Sequence, residues 1–309
     1  MTRQLSKELK LIAVSELNEV PNRTKSDIEY LRKWMKKQPH LDIETDDQFL
    51  LSFLRCSKFS LERAKEKIDT FLTVRALVPE AFSERDPFLP EIQAILNAGV
   101  ILPLPKPSED HSCRIIMYTY GDNLDPDTMP LINIFKVSQM IMDILLMEDD
   151  HCVVGGMKNW SNCKNAPIKY LAQLTPLVAK ETTSLLEHVY PFRVNNVCIT
   201  NCPPFVDSAL RIARRLFSKK TSERMTIASE NSFKDLYDKI PQHLLPEEFG
   251  GSNGSIEELT ATWKKKVEDY RQFFLHDHWR ANMKNKPMKP KMISNVFGTE
   301  GSFRQLEID

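Results

Sequence analysis

The residues in this chain whose spacing first suggests chemistry are cations. Arg211, Arg214, Arg215, Lys219, Lys220 and Arg224 lie close together with Glu223 as the one acid among them, six minus one, a local charge of +5. Such a cluster offers charge and hydrogen-bond donors to anionic headgroups, and each cation near an anionic membrane contributes about 1 kcal/mol. The whole chain has 42 Lys plus Arg and 42 Asp plus Glu, so this charge is local. That balance argues against a nucleic-acid-binding domain with a global positive field. In the same segment Val206, Ala209, Leu210, Ala213, Leu216 and Phe217 recur at steps of three and four. The cations therefore share an amphipathic helix with an apolar stripe. It reads either as an ordinary helix with a solvated face or as a gate that closes a cavity with its apolar side.

Covalent chemistry has no comparable signal. The chain has no GxSxG elbow, no P-loop and no GxGxxG after a strand, and its nine glycines leave little material for cofactor loops. Asp149-Asp150-His151 and His276-Asp277-His278 read as charge at helix ends, because adjacent residues seldom converge on one ion. Cys56, Cys113, Cys152, Cys163, Cys198 and Cys202 form no CxxC pair and are expected as reduced thiols, Cys198 as a small buried hydrophobe. No catalytic residue, metal, cofactor or enzymatic activity is expected. The first residues, MTRQLSKELKLIAV, break their apolar run at Glu8 and Lys10, unlike a signal peptide. No stretch approaches the roughly 20 apolar residues of a spanning helix. A cytoplasmic, monomeric protein in transient contact with membranes is expected.

The elements that would position the cations change in kind along the chain. Up to about residue 75 the pattern is helical: Thr24 and Thr45 are candidate caps, and Ser60 begins a helix carrying Leu61, Ala64, Ile68, Phe71 and Leu72. Prolines 79, 87 and 90 punctuate the next stretch, and EIQAILNAG is a further short helix. From about residue 111, CRIIMYTY, HCVVGGM, RVNNVCIT and MTIAS read as strands between helices, which argues for an α/β layer with a mainly parallel sheet. In the helix Phe135 to Leu146 apolar residues cover nearly every direction, with Ser138 and Gln139 as polar exceptions. It is either a core helix or one that packs on the sheet and lines a lipid-sized cavity. Ser255 and Glu258 form a capping box for a last helix reaching about His278. The domains expected are a helical module over 1–95, an α/β domain over 96–253, and a C-terminal helix with a docked tail over 254–309.

Several stretches together resemble the CRAL-TRIO family of lipid-binding proteins. They are FLLSFLRCSKFSLERAKEKI, CRIIMYTYGDNLDP, LTPLVAKETTSLLEHVYPFRVNNVCITNCPPFV, HLLPEEFGG and the tail GTEGSFRQLEID. The resemblance implies a helical module beside a sheet whose open face is covered by a mobile helix, PPFVDSALRIARRLF, enclosing one lipophilic molecule. Transferred by position, the cavity residues are Tyr118, Phe135, Ser138, Met142, Leu185, Leu186, Tyr190, Val194 and Val197, with Phe205, Leu210 and Phe217 from the gate. Arg55, Arg193, Lys220 and Arg224 match basic positions that hold phosphatidylinositol phosphates in tocopherol-carrying members, with Lys58, Arg214 and Lys219 nearby. Ser57 and Asn195 stand where those members have arginines. HCVVGGMKNWSN is shorter than the family's apolar strand at this point. The function implied is carriage of a tocopherol- or retinoid-like molecule between anionic membranes; the alternatives are a phosphoinositide-binding scaffold of membrane trafficking or a phosphatidylinositol transfer protein.

Overall fold

The computed structural model describes residues 2–41, 43–121, 124–173, 189–229, 233–277 and 279–286. Helices α1 (Lys7–Leu17), α2 (Pro21–Met35), α3 (Asp47–Cys56), α4 (Leu61–Leu77), α5 (Pro79–Phe82) and α6 (Pro90–Ala98) come first. Two of the predicted caps move. Helix α2 starts at Pro21, whose ring fits the first turn, and Thr24 bonds back to the Val20 carbonyl from inside the helix. Asp46, not Thr45, caps α3 by accepting the Phe49 amide at 2.7 Å.

Strands β1 (Ile101–Pro103), β2 (Arg114–Thr119), β3 (Met157–Asn162), β4 (Val194–Cys202) and β5 (Met225–Ser229) form one sheet in chain order. The β1–β2 pair is antiparallel and the rest are parallel. Helix α7 (Leu131–Glu148) connects β2 to β3, and the one-turn α8 (Tyr170–Gln173) precedes β4. Between β4 and β5 lie α9 (Pro204–Ala213) and α10 (Lys219–Glu223). After β5 come the one-turn α11 (Lys234–Tyr237), α12 (Ile256–Asp269) and α13 (Arg271–Leu275). The capping box forms: Ser255 accepts the Glu258 amide while the Glu258 carboxylate accepts the Ser255 amide. The tail from residue 287, the segment around Pro176 and His278 lie outside the described residues.

The third strand is not where HCVVGGM placed it. His151–Gly155 forms a π-turn, Gly156 takes a φ of 95°, and the strand runs instead over MKNWSN. A side chain at Gly155 would meet the Ser112 carbonyl at 2.4 Å and one at Gly156 would be strained by that φ, so this pair fixes the corner. All six residues of β3 pair with β2, so the strand is displaced along the chain rather than lost.

Alternation gives the sheet two different faces. Ile115, Met117, Trp160 and Cys198 pack against Leu236, Ile240, Leu244, Leu245 and Leu259 of the C-terminal segment. The opposite face looks toward α7. One apolar cluster runs from Ile28 through α3, α4, α6 and α7 to Ala281, so the helical module and the α/β region share a core.

Candidate functional site

A cavity of about 930 Å³ lies on the α7 side of the sheet. Its floor is one face of the strands: Tyr118 and Tyr120 on and after β2, Asn159 and Ser161 on β3, Val197 and Ile199 on β4, and Met225 on β5. Phe135, Ser138 and Gln139 of α7 form a wall, because residues three and four apart share a helix face. Leu210 after β4, Phe217 and the start of α10 close one side, where Leu210 and Phe217 pack on a cluster that includes Tyr120, Val197 and Ile199.

The segment expected as one gate helix is two helices. Asn201, at a φ of 53°, and the Pro203-Pro204 pair end β4 and start α9. The helix tightens into a 3₁₀ turn over Arg214–Leu216, and Ser218 caps α10 by accepting the Thr221 amide. Arg214 is spent inside this break, donating to the Ser222 carbonyl at 2.7 Å and its hydroxyl at 3.0 Å. Lys219 points to solvent near Glu223 and does not line the cavity.

Lys58, Arg63, Lys67, Arg193, Lys220 and Arg224 line one part of the cavity. Burial pushes the thiol of Cys56, which lines the same cavity, up, while the charges of Lys67, Arg193 and Lys220 pull it down. Lys58 is held out by a left-handed backbone, φ 52°, followed by Phe59 at 56°. Arg193 pairs with Glu16 at 3.1 Å and donates to the Gly155 carbonyl at 3.3 Å; Arg224 donates to the Val194 carbonyl. Lys58, Arg63 and Lys220 have no acidic partner among the described residues. The sequence reading missed Arg63 and Lys67. They stand three and seven residues beyond Ser60 on α4, on the helix face that an i, i+4 count from Arg63 identifies.

Four transferred positions fall elsewhere. Arg55 is 2% exposed and forks onto Glu19, Nε to Oε2 at 2.9 Å, so its charge is neutralised inside the helical module. Met142 faces the core, one helical turn beyond Ser138. Phe205 is half-buried and does not line the cavity. Tyr190 is buried in an ion network: its hydroxyl donates to Asp143 Oδ1 at 2.7 Å. Arg75 reaches both Asp143 oxygens at 2.8 Å and Asp277 at 2.9 Å, and Arg85 joins Asp143 at 2.6 Å. Leu185 and Leu186 lie outside the described residues.

Inside the cavity, burial pushes the Tyr118 hydroxyl up to about 12, so it stays protonated. Asn159 and Gln139, 6% and 4% exposed, each have a side-chain oxygen with no partner. An unmet buried acceptor costs roughly 1–3 kcal/mol. Among the described residues no group of three His, Cys, Asp or Glu is placed to hold a metal ion, and no helix is long and apolar enough to cross a membrane.

Taken together, a mainly parallel sheet, a helical module and a cavity flanked by α7 and the two short helices after β4 form the architecture expected of a lipid-binding protein. Comparison with known families agrees: residues 101–251 match the CRAL/TRIO domain, and residues 20–92 match the Pinta-like UBA domain. The chain is a CRAL-TRIO domain protein, of a family of lipid-binding and transfer proteins. It is 24% identical over 309 residues to the alpha-tocopherol transfer protein-like protein of Mus musculus, covering 98% of this chain and 88% of that one. To Clavesin-2 of Homo sapiens it is 26% identical over 256 residues, 82% of this chain and 76% of the other. The structure reported as "Crystal structure of Sfh5" superposes with a TM-score of 0.50 at 12% identity, over 87% of this chain and all of that one, a likeness of fold.

Proposed function

We propose that this protein carries one lipophilic molecule between membranes, holding it in the cavity and opening at the gate when the basic rim meets an anionic lipid surface. The observation that carries the reading is the pairing of a largely apolar cavity of about 930 Å³ with six cations along part of its lining. That volume falls within the roughly 300–1,000 Å³ of small-molecule sites. The apolar body of a ligand lies against Phe135, Val197, Ile199, Leu210 and Phe217, and burying several hundred Å² at about 25 cal/mol per Å² outweighs a moderate association cost. An anionic surface, phosphatidylinositol phosphates above all, engages Lys58, Arg63, Lys220 and Arg224. Interfacial lipid then competes for the apolar side of α9, and the gate parts from the sheet without any covalent step. The similarity to an alpha-tocopherol transfer protein-like protein supports cargo of tocopherol or retinoid size.

A fluorescent tocopherol or retinoid analogue is expected to bind one per chain and to move from donor to acceptor vesicles when the protein is added. Vesicle binding without any transfer of analogue would replace the carrier by a phosphoinositide-binding scaffold. Failure to bind lipids of any class, checked by native mass spectrometry of the purified chain, would remove the cavity from the account.

A further inference from the structure

Helix α1 divides its charges between two sides. It carries Lys7, Lys10, Glu8 and Glu16, two minus two, a sum of zero. Both acids are engaged by the body of the protein: Glu8 accepts the Ser112 hydroxyl at 2.7 Å, and Glu16 meets His111 at 2.9 Å and Arg193 at 3.1 Å. Lys7 and Lys10 are exposed and have no acidic partner among the described residues. The apolar residues divide in the same way. Leu9, Ala13 and Leu17, four apart, are buried with Val154 in a cluster of their own. Leu11 and Val14, three apart, are 71% and 47% exposed. Positions 7, 10, 11 and 14 follow steps of three and four, so two cations and two aliphatic side chains share the outward face.

A helix whose only duty is to cover Val154 needs a polar outer face. This one leaves outside the two groups that an anionic bilayer takes up: cations for the headgroups and aliphatic side chains for the boundary beneath them. Glu16 also fixes where the helix lies. Its partner Arg193 lines the cavity with Lys58, Arg63, Lys220 and Arg224, so the C-terminal end of α1 adjoins the basic part of that lining. We propose that the outward face of α1 docks on an anionic lipid bilayer, as a membrane contact separate from the helices after β4. The choice of a bilayer as the occupant rests on the carrier role proposed above together with this charge. Leu11 and Val14 enter the boundary while Lys7 and Lys10 meet headgroups, and the inner face stays on Val154. The contact belongs to a stretch that precedes both family matches, residues 20–92 and 101–251.

The test is co-sedimentation of the full chain with phosphatidylcholine vesicles, with and without phosphatidylserine. Lys7→Gln with Lys10→Gln is expected to weaken binding to the phosphatidylserine vesicles about thirtyfold, the factor that two cations supply near an anionic surface. Leu11→Ser with Val14→Ser is expected to weaken it about tenfold, since interfacial affinity scales with the apolar area buried. All four side chains substituted are exposed, so melting temperatures are expected to match the parent; the two pairs are read separately, and a pair that melts early leaves the decision to the other. Parental binding to phosphatidylserine vesicles in either folded pair overturns the proposal. So does a parent that is dimeric by light scattering and monomeric after Leu11→Ser with Val14→Ser, because a second copy is then the occupant. Those outcomes leave the carrier role standing if the parent still moves a fluorescent analogue between vesicles. Weakened vesicle binding in both pairs, with no transfer of analogue by the parent, supports the contact at α1 and removes the carrier role alone.

Discussion

Helix α7 carries buried polar groups on two sides, and the two sides differ in what satisfies them. At Asp143 both carboxylate oxygens are met inside the protein, by Arg75, Arg85 and Tyr190. One turn earlier, Gln139 lines the cavity, and its side-chain oxygen is buried without a partner. The first arrangement ties α4, the Arg85 turn, α7 and the C-terminal segment at Asp277 into one body. The second leaves one buried acceptor unmet. A buried charge without a partner costs far more than an unmet amide, so the protein completes the one and leaves the other open.

The largest effect that would test this contrast is at the closed side. Arg75→Met leaves Asp143 and Asp277 short of their central cation, and about 3–5 kcal/mol of stability is expected to be lost, read as a fall in the urea midpoint. Loss below about 1 kcal/mol would mean that Arg85 carries the network alone. Next, at the open side, Lys220→Glu with Arg224→Glu is expected to slow transfer to anionic vesicles at least thirtyfold, since removing two cations at about 1 kcal/mol each already gives that factor. Equilibrium binding of the fluorescent analogue should stay nearly intact. Equal transfer rates for variant and parent would detach the basic rim from the mechanism.

A pH titration separates the two sides further. Burial raises the Asp277 carboxyl, but Arg75 and Arg85 outweigh it and hold the group below the usual carboxylate range. A group depressed in the folded state contributes stability above its unfolded value, near 3.9, and loses it as pH falls through the folded value. Asp277→Asn is therefore expected to start less stable at neutral pH and to lose less on acidification between about pH 5 and 2. An acid limb parallel to that of the parent would show that Asp277 is not part of it. Ser255→Ala is the control for a site remote from both regions: about 1 kcal/mol lost with the capping box, and unchanged ligand affinity.

Part of the site was legible because it sits within elements that local periodicity and short motifs mark. Tyr118, Phe135, Ser138, Val194, Val197, Leu210 and Phe217 line the cavity, and Lys58, Arg193, Lys220 and Arg224 stand with them. What was not legible depends on contacts between distant segments. Arg55 has the same sequence signature as a rim cation, yet Glu19, thirty-six residues away, claims it. Tyr190 reads as an amphiphilic pocket residue until Asp143 is seen within reach of its hydroxyl. The gate reads as one helix, because its apolar stripe continues through the 3₁₀ break that Arg214 and Ser222 stabilise.

By itself the sequence determined the alternation of strands and helices, the local concentration of charge and the apolar excess on α7, because these depend on residue order and near neighbours. Tertiary structure alone decided which cations are free to meet a ligand and which are paired. It also decided that β3 runs over MKNWSN, which sets Asn159 and Ser161 on the cavity floor between apolar strands. The physical reason is the same in each case. Charge neutralisation and hydrogen-bond satisfaction are settled by whichever group is near in space, and spacing along the chain does not say which that is.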